Sequence, residues 1–406
     1  MSDYAYINSA IRALQHGKTI IVVDDEKREN EGDLVMAAEF ATPRAVNFFL
    51  RTGRGILCVP LTRERAEELH LPPMVPEEEN TEVTHCEFTV SVDAKRGITT
   101  GVSAYDRAAT IQALVSPRTR PYDLARPGHV FPLRSYPGGV LYRAGHTEAA
   151  VDLMRLAGLK PVAMVCEILD QSGKSARRAL LRRIARQFQL PYVTIAELIA
   201  YRRAREPLVR RVASASLPTE FGTFKMYVYR SLISGIEHVA LVKGKPMHGE
   251  AILLRVHSQC LTGDTFHSLR CDCRAQLTLA MQKINAEGKG VIVYLNQEGR
   301  GVGLTNKIRA YALQEQGEDT VSAHTRLKIP VDMRDYHVGS QIITDLGIQK
   351  IKLMTNNSEK IANISQYGLM IVERIPLEVK PGRYNRKYLK TKRDRLGHLL
   401  TILDRR

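Results

Sequence analysis

The sequence is poor in cysteine, lacks long apolar runs and has fewer acidic than basic residues. Six cysteines in 406 residues are too few for a disulfide framework, which favours a reducing compartment. No apolar stretch approaches the length of a membrane span, and the first residues do not show the basic and then apolar pattern of a signal peptide. We therefore expect a cytoplasmic protein with no membrane partner, long enough for two domains.

The charge is unbalanced towards the basic side. The formal net charge is +16, from 59 basic and 43 acidic residues, so the chain should attract anions. Much of the excess lies in the basic stretch 174–211. One interpretation of this stretch is a solvated helix face and a linker, and the other is a stripe that binds nucleic acid. Because interleaved aromatic residues and a recognised nucleic-acid motif are missing, we do not expect nucleic acid as a partner.

Half of the cysteines are close together: Cys260, Cys271 and Cys273 lie within fourteen positions. Thiolate sulfur prefers zinc to hard cations. A catalytic zinc site has three protein ligands and leaves a position for water. The spacing also allows a closed structural site completed by His257 or His267, or three buried thiols without metal. The polar residues around the cysteines favour a reactive cleft.

An acidic segment in the first half is the other candidate metal site. The apolar run 19–23 predicts a buried strand that leads directly into 24–33, which contains six carboxylates. Such an oxygen-rich segment suits Mg²⁺ or Mn²⁺, and the alternative is a solvated acidic turn. Further along, we predict a turn around His129. His146 and Thr147 are expected at a helix N-terminus, which favours phosphate.

Several motifs in the first half match one known family: DDEKRENEGD (24–33), TTGVSAYDR (99–107), RPGHVFPLR (126–134), RAGHTEA (143–149) and CE (166–167). Residues 1–203 resemble 3,4-dihydroxy-2-butanone 4-phosphate synthase. That family converts D-ribulose 5-phosphate to L-3,4-dihydroxy-2-butanone 4-phosphate and formate, using Mg²⁺ or Mn²⁺. The resemblance implies that Glu29 and His146 are metal ligands and that His129 and Glu167 are catalytic. It also implies substrate contacts from Arg28, Glu29, Asp33, Arg143, Ala144, Gly145, His146, Thr147 and Glu167.

The second half matches another family through RVHSQCLTGD (255–264), SLRCDC (268–273), QEGRGVGL (297–304), NKIRAYALQEQG (306–317), DMRDY (332–336), TNNSEK (355–360) and YLKTKRDRLGH (388–398). It resembles GTP cyclohydrolase II, which converts GTP and water to 2,5-diamino-6-(5-phosphoribosylamino)pyrimidin-4-one, formate and pyrophosphate. The resemblance implies zinc on Cys260, Cys271 and Cys273, and Mg²⁺ can accompany GTP. Asp332 would be the proton acceptor, Arg334 the nucleophile at the α-phosphate, and Tyr311 would assist at the zinc centre. The implied GTP contacts are Arg255, Val256, His257, Ser258, Gln259, Gln276, Glu298, Gly299, Arg300, Thr320, Thr355 and Lys360.

Three positions depart from the cyclohydrolase pattern. Gln259 stands where the family usually has Glu, and Arg274 stands where it has Gly. His324 belongs to a stretch that replaces the usual Glu-Ala-Asn. These departures put the rate or specificity of the second activity in question, although the zinc thiols and the Asp332 and Arg334 pair remain.

The sequence therefore predicts an α/β protein with mixed sheets and two domains. We expect a synthase domain over 1–203, a basic linker over 204–217 and a cyclohydrolase domain over 218–406. The two families occur fused in this order in bifunctional riboflavin enzymes, and the resemblance implies a homodimer. One rival is a monofunctional synthase whose second domain is a zinc-containing scaffold or regulator. The other is a nucleic-acid-binding module built on the basic stretch.

Overall fold

The computed structural model describes residues 4–26, 28–76, 79–245, 249–334, 336–365 and 369–403. The chain divides into two compact units, Met1–Glu206 and Pro207–Arg406. Each unit has a mixed β-sheet with helices packed on it. The predicted α/β class with two domains is therefore confirmed.

The first unit is built on a sheet with the order β4-β6-β3-β7-β2-β1-β8, and β5 pairs with β6. Its pairs β3–β6 and β1–β8 are parallel, and β2–β7 and β1–β2 are antiparallel. The strands are β1 (Ile20–Val23), β2 (Gly32–Ala37), β3 (Arg54–Thr62), β4 (Glu87–Phe88), β5 (Val92–Ala94), β6 (Leu124–Ser135), β7 (Ala163–Ile168) and β8 (Tyr192–Thr194).

Helices cover both faces of this sheet, which explains why β1 is apolar at every position. Ile21 and Val23 pack in one core cluster, and Ile20 and Val22 pack in the other, because alternate side chains of a strand point to opposite faces. The helices are α1 (Ala5–Gln15), α2 (Pro43–Thr52), α3 (Arg63–Glu68), α4 (Ala104–Val115), α5 (His146–Leu156), α6 (Arg178–Phe188) and α7 (Ile195–Arg205).

The second unit has a sheet with the order β15-β14-β12-β13-β11-β10-β9, in which β12 pairs in parallel with β13 and β14. The strands are β9 (Val209–Thr219), β10 (Gly222–Ser231), β11 (Glu237–Lys243), β12 (Ala251–Ser258), β13 (Gly290–Leu295), β14 (Lys350–Met354) and β15 (Met370–Ile375). The helices are α8 (Cys273–Glu287), α9 (Gly303–Glu315), α10 (Thr320–Arg326), α11 (His337–Asp345), α12 (Ser358–Ser365) and α13 (Arg386–Leu396).

Residues 204–217 do not form the predicted linker. Helix α7 continues to Arg205, and β9 begins at Val209 and pairs with β10 throughout its length. The small, polar composition that suggested a linker is compatible with an edge strand, because backbone hydrogen bonds to one neighbour hold it. Pro218 is tolerated there since only one side of an edge strand is paired.

The predicted turn around His129 is also wrong, because His129 lies within β6. The register of β5 against β6 shifts between Val92 and Asp93, so residues 126–129 bulge out of the ladder. A bulge re-aims side chains without ending the strand. This bulge places His129 beside Asp93.

Arginines of the basic stretch make internal contacts. Arg202, on α7, is buried and pairs with Asp152 and Glu206 at 2.6 Å each. Arg211 pairs with Asp345 at 2.6 Å. In the part of the chain that the structure describes, no helix is both long and apolar enough to span a membrane.

Candidate active sites

Two clusters among the described residues could hold a metal ion. One consists of Asp24, Glu29 and His146, and the other of Cys260, Cys271 and Cys273. Within each cluster one ligand atom per residue lies within 4.8 Å of the others. The first cluster belongs to the first unit and the second cluster to the second unit.

Asp24 organises the acidic loop. Its carboxylate is buried and accepts the backbone N–H groups of Glu29 at 2.9 Å and Glu31 at 2.8 Å. Arg28 adds an ion pair at 3.2 Å. From outside the loop, Arg177 donates to the carbonyl oxygen of Glu29 at 2.8 Å. Asp25 and Glu26 of the segment are exposed, but the segment is more than a solvated turn, because Asp24 fixes the loop that presents Glu29.

His146 begins α5 and faces Glu29, with 3.7 Å between His146 Nδ1 and Glu29 Oε2. Its Nε2 is buried and has no hydrogen-bond partner among the described residues. Burial alone would lower the pKa of His146, but the Asp33, Glu29 and Asp24 carboxylates raise it to about 9. A ring nitrogen without a partner beside carboxylates fits a divalent cation.

Asp33 and Glu167 lie opposite each other on β2 and β7. Burial raises the pKa of Asp33 to about 7, against the attraction of His146. Burial also raises the pKa of Glu167, whose Oε2 accepts the backbone N–H of Ile56 at 2.8 Å. With a pKa of about 7, Asp33 can exchange protons near neutral pH, which general acid–base chemistry needs.

Arg143 is fixed at the edge of this site. It pairs with Glu148 at 2.6 Å and donates from Nε and Nη2 to the carbonyl and hydroxyl oxygens of Thr84 at 2.9 Å each. Gly145 lies directly beside the pair, since a Cβ there would be 2.4 Å from Arg143 Nη1. Thr147 is buried, with its Oγ1 3.6 Å from the Cys86 sulfur. Ala144, another predicted substrate contact, is partly buried, and only its backbone groups could form a hydrogen bond with a substrate.

Among the described residues, His129 makes its hydrogen bonds to a residue outside this cluster. Its Nδ1 lies 2.7 Å from Asp93 Oδ2, and its backbone N–H donates to Asp93 Oδ1 at 3.0 Å. No hydrogen bond or ion pair within the described ranges joins His129 to Glu29, Asp33 or His146. The catalytic role that the resemblance assigns to His129 therefore stays a prediction.

The three thiols of the second unit meet at the start of α8. The sulfurs of Cys260 and Cys271 are 3.6 Å apart, and a tetrahedral zinc with bonds of about 2.3 Å separates two sulfurs by about 3.8 Å. Close thiol neighbours, Cys260 first, raise the pKa of Cys271 to about 11, and they also raise the pKa of Cys273. A cation would remove this repulsion between thiolates, so the cluster fits zinc.

Two neighbours tighten the thiol cluster. Gly263 lies directly against it, because a Cβ there would be 2.7 Å from the Cys271 sulfur and 3.0 Å from the Cys260 sulfur. Lys307 donates to the Cys260 sulfur at 3.2 Å and pairs with Glu298 at 2.7 Å. Neither histidine of the closed-site alternative joins the cluster: His257 bonds Asp264 at 3.1 Å, and His267 is exposed.

A cavity opens beside the thiols. Tyr311, Arg334 and the three cysteines line it, as do all the predicted GTP contacts except Val256: Arg255, His257, Ser258, Gln259, Gln276, Glu298, Gly299, Arg300, Thr320, Thr355 and Lys360. The side chain of Val256 points into the core instead, because it alternates with its neighbours along β12. Its carbonyl oxygen accepts from Lys360 Nζ at 2.8 Å.

The cavity is strongly cationic. Burial and the nearby Arg255 and Arg334 cations lower the pKa of Lys360. Burial alone would lower the pKa of Arg334, but its ion pair with Asp332 raises it. Arg334 Nε donates to Asp332 Oδ1 at 2.9 Å. An anionic ligand would offset the cost of gathering these cations, so the cavity suits a polyphosphate.

The departures from the family pattern lie in different places. Gln259 and His324 line the cavity, whereas Arg274 is exposed and is not among the cavity-lining residues. His324 Nδ1 must donate to the carbonyl oxygen of Thr320, 2.6 Å away, because a carbonyl only accepts. Nε2 is therefore the ring nitrogen of His324 that remains for another hydrogen bond.

Sequence analysis did not predict several residues that the structure places in or beside these sites. Asp264 lay inside a quoted motif, and its carboxylate accepts the Cys260 N–H at 3.0 Å and the Tyr294 hydroxyl at 2.9 Å. Lys307 also lay inside a motif, four residues before Tyr311 on α9, so helical spacing could have indicated it. Sequence spacing gives no signal for Asp93.

Comparisons with known proteins show the family to which each unit belongs. The profile of the 3,4-dihydroxy-2-butanone 4-phosphate synthase family matches residues 8–201, and that of GTP cyclohydrolase II matches residues 210–376. Riboflavin biosynthesis protein RibBA of Aquifex aeolicus is 54% identical over 97% of this chain and 97% of its own. The chain belongs to the family of bifunctional riboflavin biosynthesis proteins. It is an enzyme that joins a lyase domain to a hydrolase domain.

Other family members extend the likeness. Bifunctional riboflavin biosynthesis protein RIBA 1, chloroplastic, of Arabidopsis thaliana is 54% identical over 98% of this chain and 73% of its own length. The crystal structure of RibBX, a two-domain 3,4-dihydroxy-2-butanone 4-phosphate synthase from A. baumannii, is 36% identical. It covers 92% of this chain and 99% of its own, with a TM-score of 0.70.

Proposed function

We propose that the first unit converts D-ribulose 5-phosphate to L-3,4-dihydroxy-2-butanone 4-phosphate and formate, with Mg²⁺ or Mn²⁺ held by Glu29 and His146. The observation that supports this most is the buried His146 Nε2, which lies beside three carboxylates and has no hydrogen-bond partner in the described part of the chain. A bound divalent ion would supply Lewis-acid stabilisation of charge that develops on the sugar oxygens.

The side chains of the first unit supply the remaining chemistry. Asp33, whose pKa is raised by burial to about 7, can take and return protons at neutral pH, and burial also raises the pKa of Glu167. The N-terminus of α5, with Thr147 in its first turn, favours the substrate phosphate. Arg28 and Arg143 add positive charge at the edge of the site.

The test for this activity is formate release from ribulose 5-phosphate in the presence of Mg²⁺. We expect Glu29→Gln and His146→Ala to abolish it, because each removes a ligand. Glu26→Gln is the matched control, since Glu26 lies in the same loop but is exposed, and its ion pair among the described residues is with Arg178 at 3.1 Å. Turnover in either ligand variant close to that of the control would reject the assignment.

We propose that the second unit hydrolyses GTP to 2,5-diamino-6-(5-phosphoribosylamino)pyrimidin-4-one, formate and pyrophosphate, with zinc on Cys260, Cys271 and Cys273. The 3.6 Å separation of the Cys260 and Cys271 sulfurs, beside a cationic cavity, supports this most. Bound zinc would lower the pKa of a water molecule to about 7.

Arg334 acts in this proposal as a cation. Its ion pair with Asp332 raises the pKa of its guanidinium, so a phosphate group would meet it protonated. That state favours stabilisation of the α-phosphate charge over attack on phosphorus. Arg300 adds positive charge for the rest of the triphosphate, and Mg²⁺ can accompany it. The pKa of Lys360 is lowered by burial and by nearby cations, and a bound anion would favour its protonated form.

The A. baumannii protein favours one alternative, because it is named only as a synthase although it has two domains. In that alternative the second unit would be a zinc scaffold. Purified chain incubated with zinc and GTP decides between them: the pyrimidine product supports the proposal, and zinc binding without product supports the scaffold. His267→Ala should behave like the wild type, since His267 is exposed and outside the thiol cluster.

We also propose a homodimer, as the resemblance implies, and a cytoplasmic location, which the low cysteine content favours. Light scattering on the purified chain measures the mass directly. A mass near twice 45.6 kDa supports the dimer, and a monomer at micromolar concentration contradicts it.

A further inference from the structure

The C-terminal helix α13 contributes to the cavity of the second unit. The cyclohydrolase family profile ends at residue 376, and α13 begins ten residues later, at Arg386. Tyr388, Lys392 and His398 nevertheless line the cavity together with the three thiols. This wall is therefore supplied by a segment beyond the profile match, which contains the motif YLKTKRDRLGH (388–398) of the family resemblance.

Lys392 reaches the loop that carries two of the thiols. Its Nζ donates to Asp272 Oδ1 at 2.8 Å, and both side chains are buried. Asp272 stands between Cys271 and Cys273 and immediately precedes α8. A side chain that holds Asp272 therefore also fixes the backbone from which both sulfurs project.

The ion pair continues into a longer network. Gln276 donates from Nε2 to Asp272 Oδ2 at 2.5 Å and accepts from Arg255 Nη2 at 2.6 Å. Arg255 donates its other terminal nitrogen to the carbonyl oxygen of Met354 at 2.9 Å. Both carboxylate oxygens of Asp272 and both polar atoms of Gln276 thus have partners, so Asp272 is held from both of its oxygens.

The helix itself is anchored at several points. Leu389 is buried, and Lys387 donates to the carbonyl oxygen of Gly317 at 3.0 Å. Beyond the helix, His398 forms a β-bridge with Asn357, and Ser358 donates to the carbonyl oxygen of Gly397 at 3.0 Å. Lys392 is therefore presented to Asp272 by a fixed support.

We propose that Lys392 is a positioning residue of the cyclohydrolase site, which holds Cys271 and Cys273 in zinc-binding geometry through Asp272. This inference rests on the proposed GTP hydrolysis. Groups that hydrogen-bond around metal ligands orient those ligands, and their loss typically weakens metal binding or activity by about 10–100-fold. A buried ion pair usually contributes little net stability. Stability alone therefore does not explain why this ion pair holds Asp272, the residue between two zinc ligands.

The experiment compares zinc affinity across full-length variants by competition with a chromophoric chelator. We expect Lys392→Met to raise the zinc Kd by about 10–100-fold and to lower kcat/KM for GTP by a similar factor. Lys390→Met is the matched control, because Lys390 lies on the same helix and is exposed. It should stay within about two-fold of the wild type. Lys392→Arg keeps a donor and should recover part of the affinity.

The double variant Lys392→Met with Asp272→Asn distinguishes two roles of Lys392: positioning of the thiols and neutralisation of the buried Asp272 carboxylate. If Lys392 only neutralises a buried carboxylate, removing that charge restores the wild-type zinc Kd and overturns the inference. If Lys392 positions the thiols, the zinc Kd stays raised in the double variant.

The same data distinguish this inference from the proposed function. A wild-type zinc Kd in soluble Lys392→Met overturns the inference alone. A wild-type chain that binds zinc but does not turn over GTP overturns the proposed function, while the zinc affinities still decide the role of Lys392. A wild-type chain that binds no zinc overturns both.

Discussion

Replacing Gly263 by alanine adds one methyl group to the turn beside the thiols. The φ angle of Gly263 is not in the left-handed region, so alanine can adopt the same backbone. The new Cβ would lie 2.7 Å from the Cys271 sulfur and 3.0 Å from the Cys260 sulfur. Non-bonded heavy atoms of this kind are comfortable at about 3.5–4.0 Å. One or both sulfurs must therefore move by about 1 Å.

That displacement is large for a metal ligand, because metal–ligand distances tolerate only about 0.2 Å. We expect Gly263→Ala to raise the zinc Kd by at least about 10-fold, the lower end of the effect of disturbing ligand supports. GTP turnover should fall with zinc occupancy. The assay is zinc competition against a chelator, followed by product formation at saturating zinc.

Two controls accompany this variant. Gly382→Ala adds a methyl group whose nearest neighbour is 3.8 Å away, so it should leave zinc affinity unchanged. Turnover of ribulose 5-phosphate by the same sample reports the state of the first unit. If Gly263→Ala retains wild-type zinc affinity and GTP turnover, the three sulfurs do not converge on one ion in the way described.

Two further predictions test individual contacts. Gly145→Ala should lower synthase turnover by at least about 10-fold, measured as formate release, because its Cβ would displace Arg143 from Glu148; a wild-type rate would contradict this. Burial lowers the pKa of His238 from 6.5 to about 4, and its Nδ1 accepts the Asn296 N–H. His238 therefore binds a proton more tightly in the unfolded state than in the folded state. The contribution of His238 to the free energy of unfolding is present above pH 6.5 and should fall by about 3 kcal/mol as the pH falls to 4. His238→Asn should flatten that decline in thermal melts between these pH values, and an unchanged slope would assign the acid sensitivity elsewhere.

Local patterns in the sequence predicted much of the structure. The apolar run at 19–23 and the spacing after Cys273 correspond to β1 and α8. The thiols were recognisable because they are close in sequence. The small residues of 204–217 predict a linker, but β9 begins at Val209, because composition does not reveal whether a backbone finds a partner strand.

Long-range pairs could not be predicted from local patterns. Asp272 and Lys392 are 120 residues apart, and Asp93 and His129 are 36 apart, with no periodicity to connect them. The prediction that Glu29 and His146 bind one metal ion together rested on the family resemblance alone. The fold brings each of these pairs together through packing in three dimensions, which single-sequence spacing does not encode.

The central claim is that one chain carries two independent sites that use ligands of different chemistry. The most direct measurement assays both substrates with two full-length variants, Cys271→Ser and Glu29→Gln. The account predicts that Cys271→Ser loses formation of the pyrimidine product and keeps formate release from ribulose 5-phosphate, and that Glu29→Gln shows the reverse. Loss of both activities in either variant, or full retention of both, would contradict it.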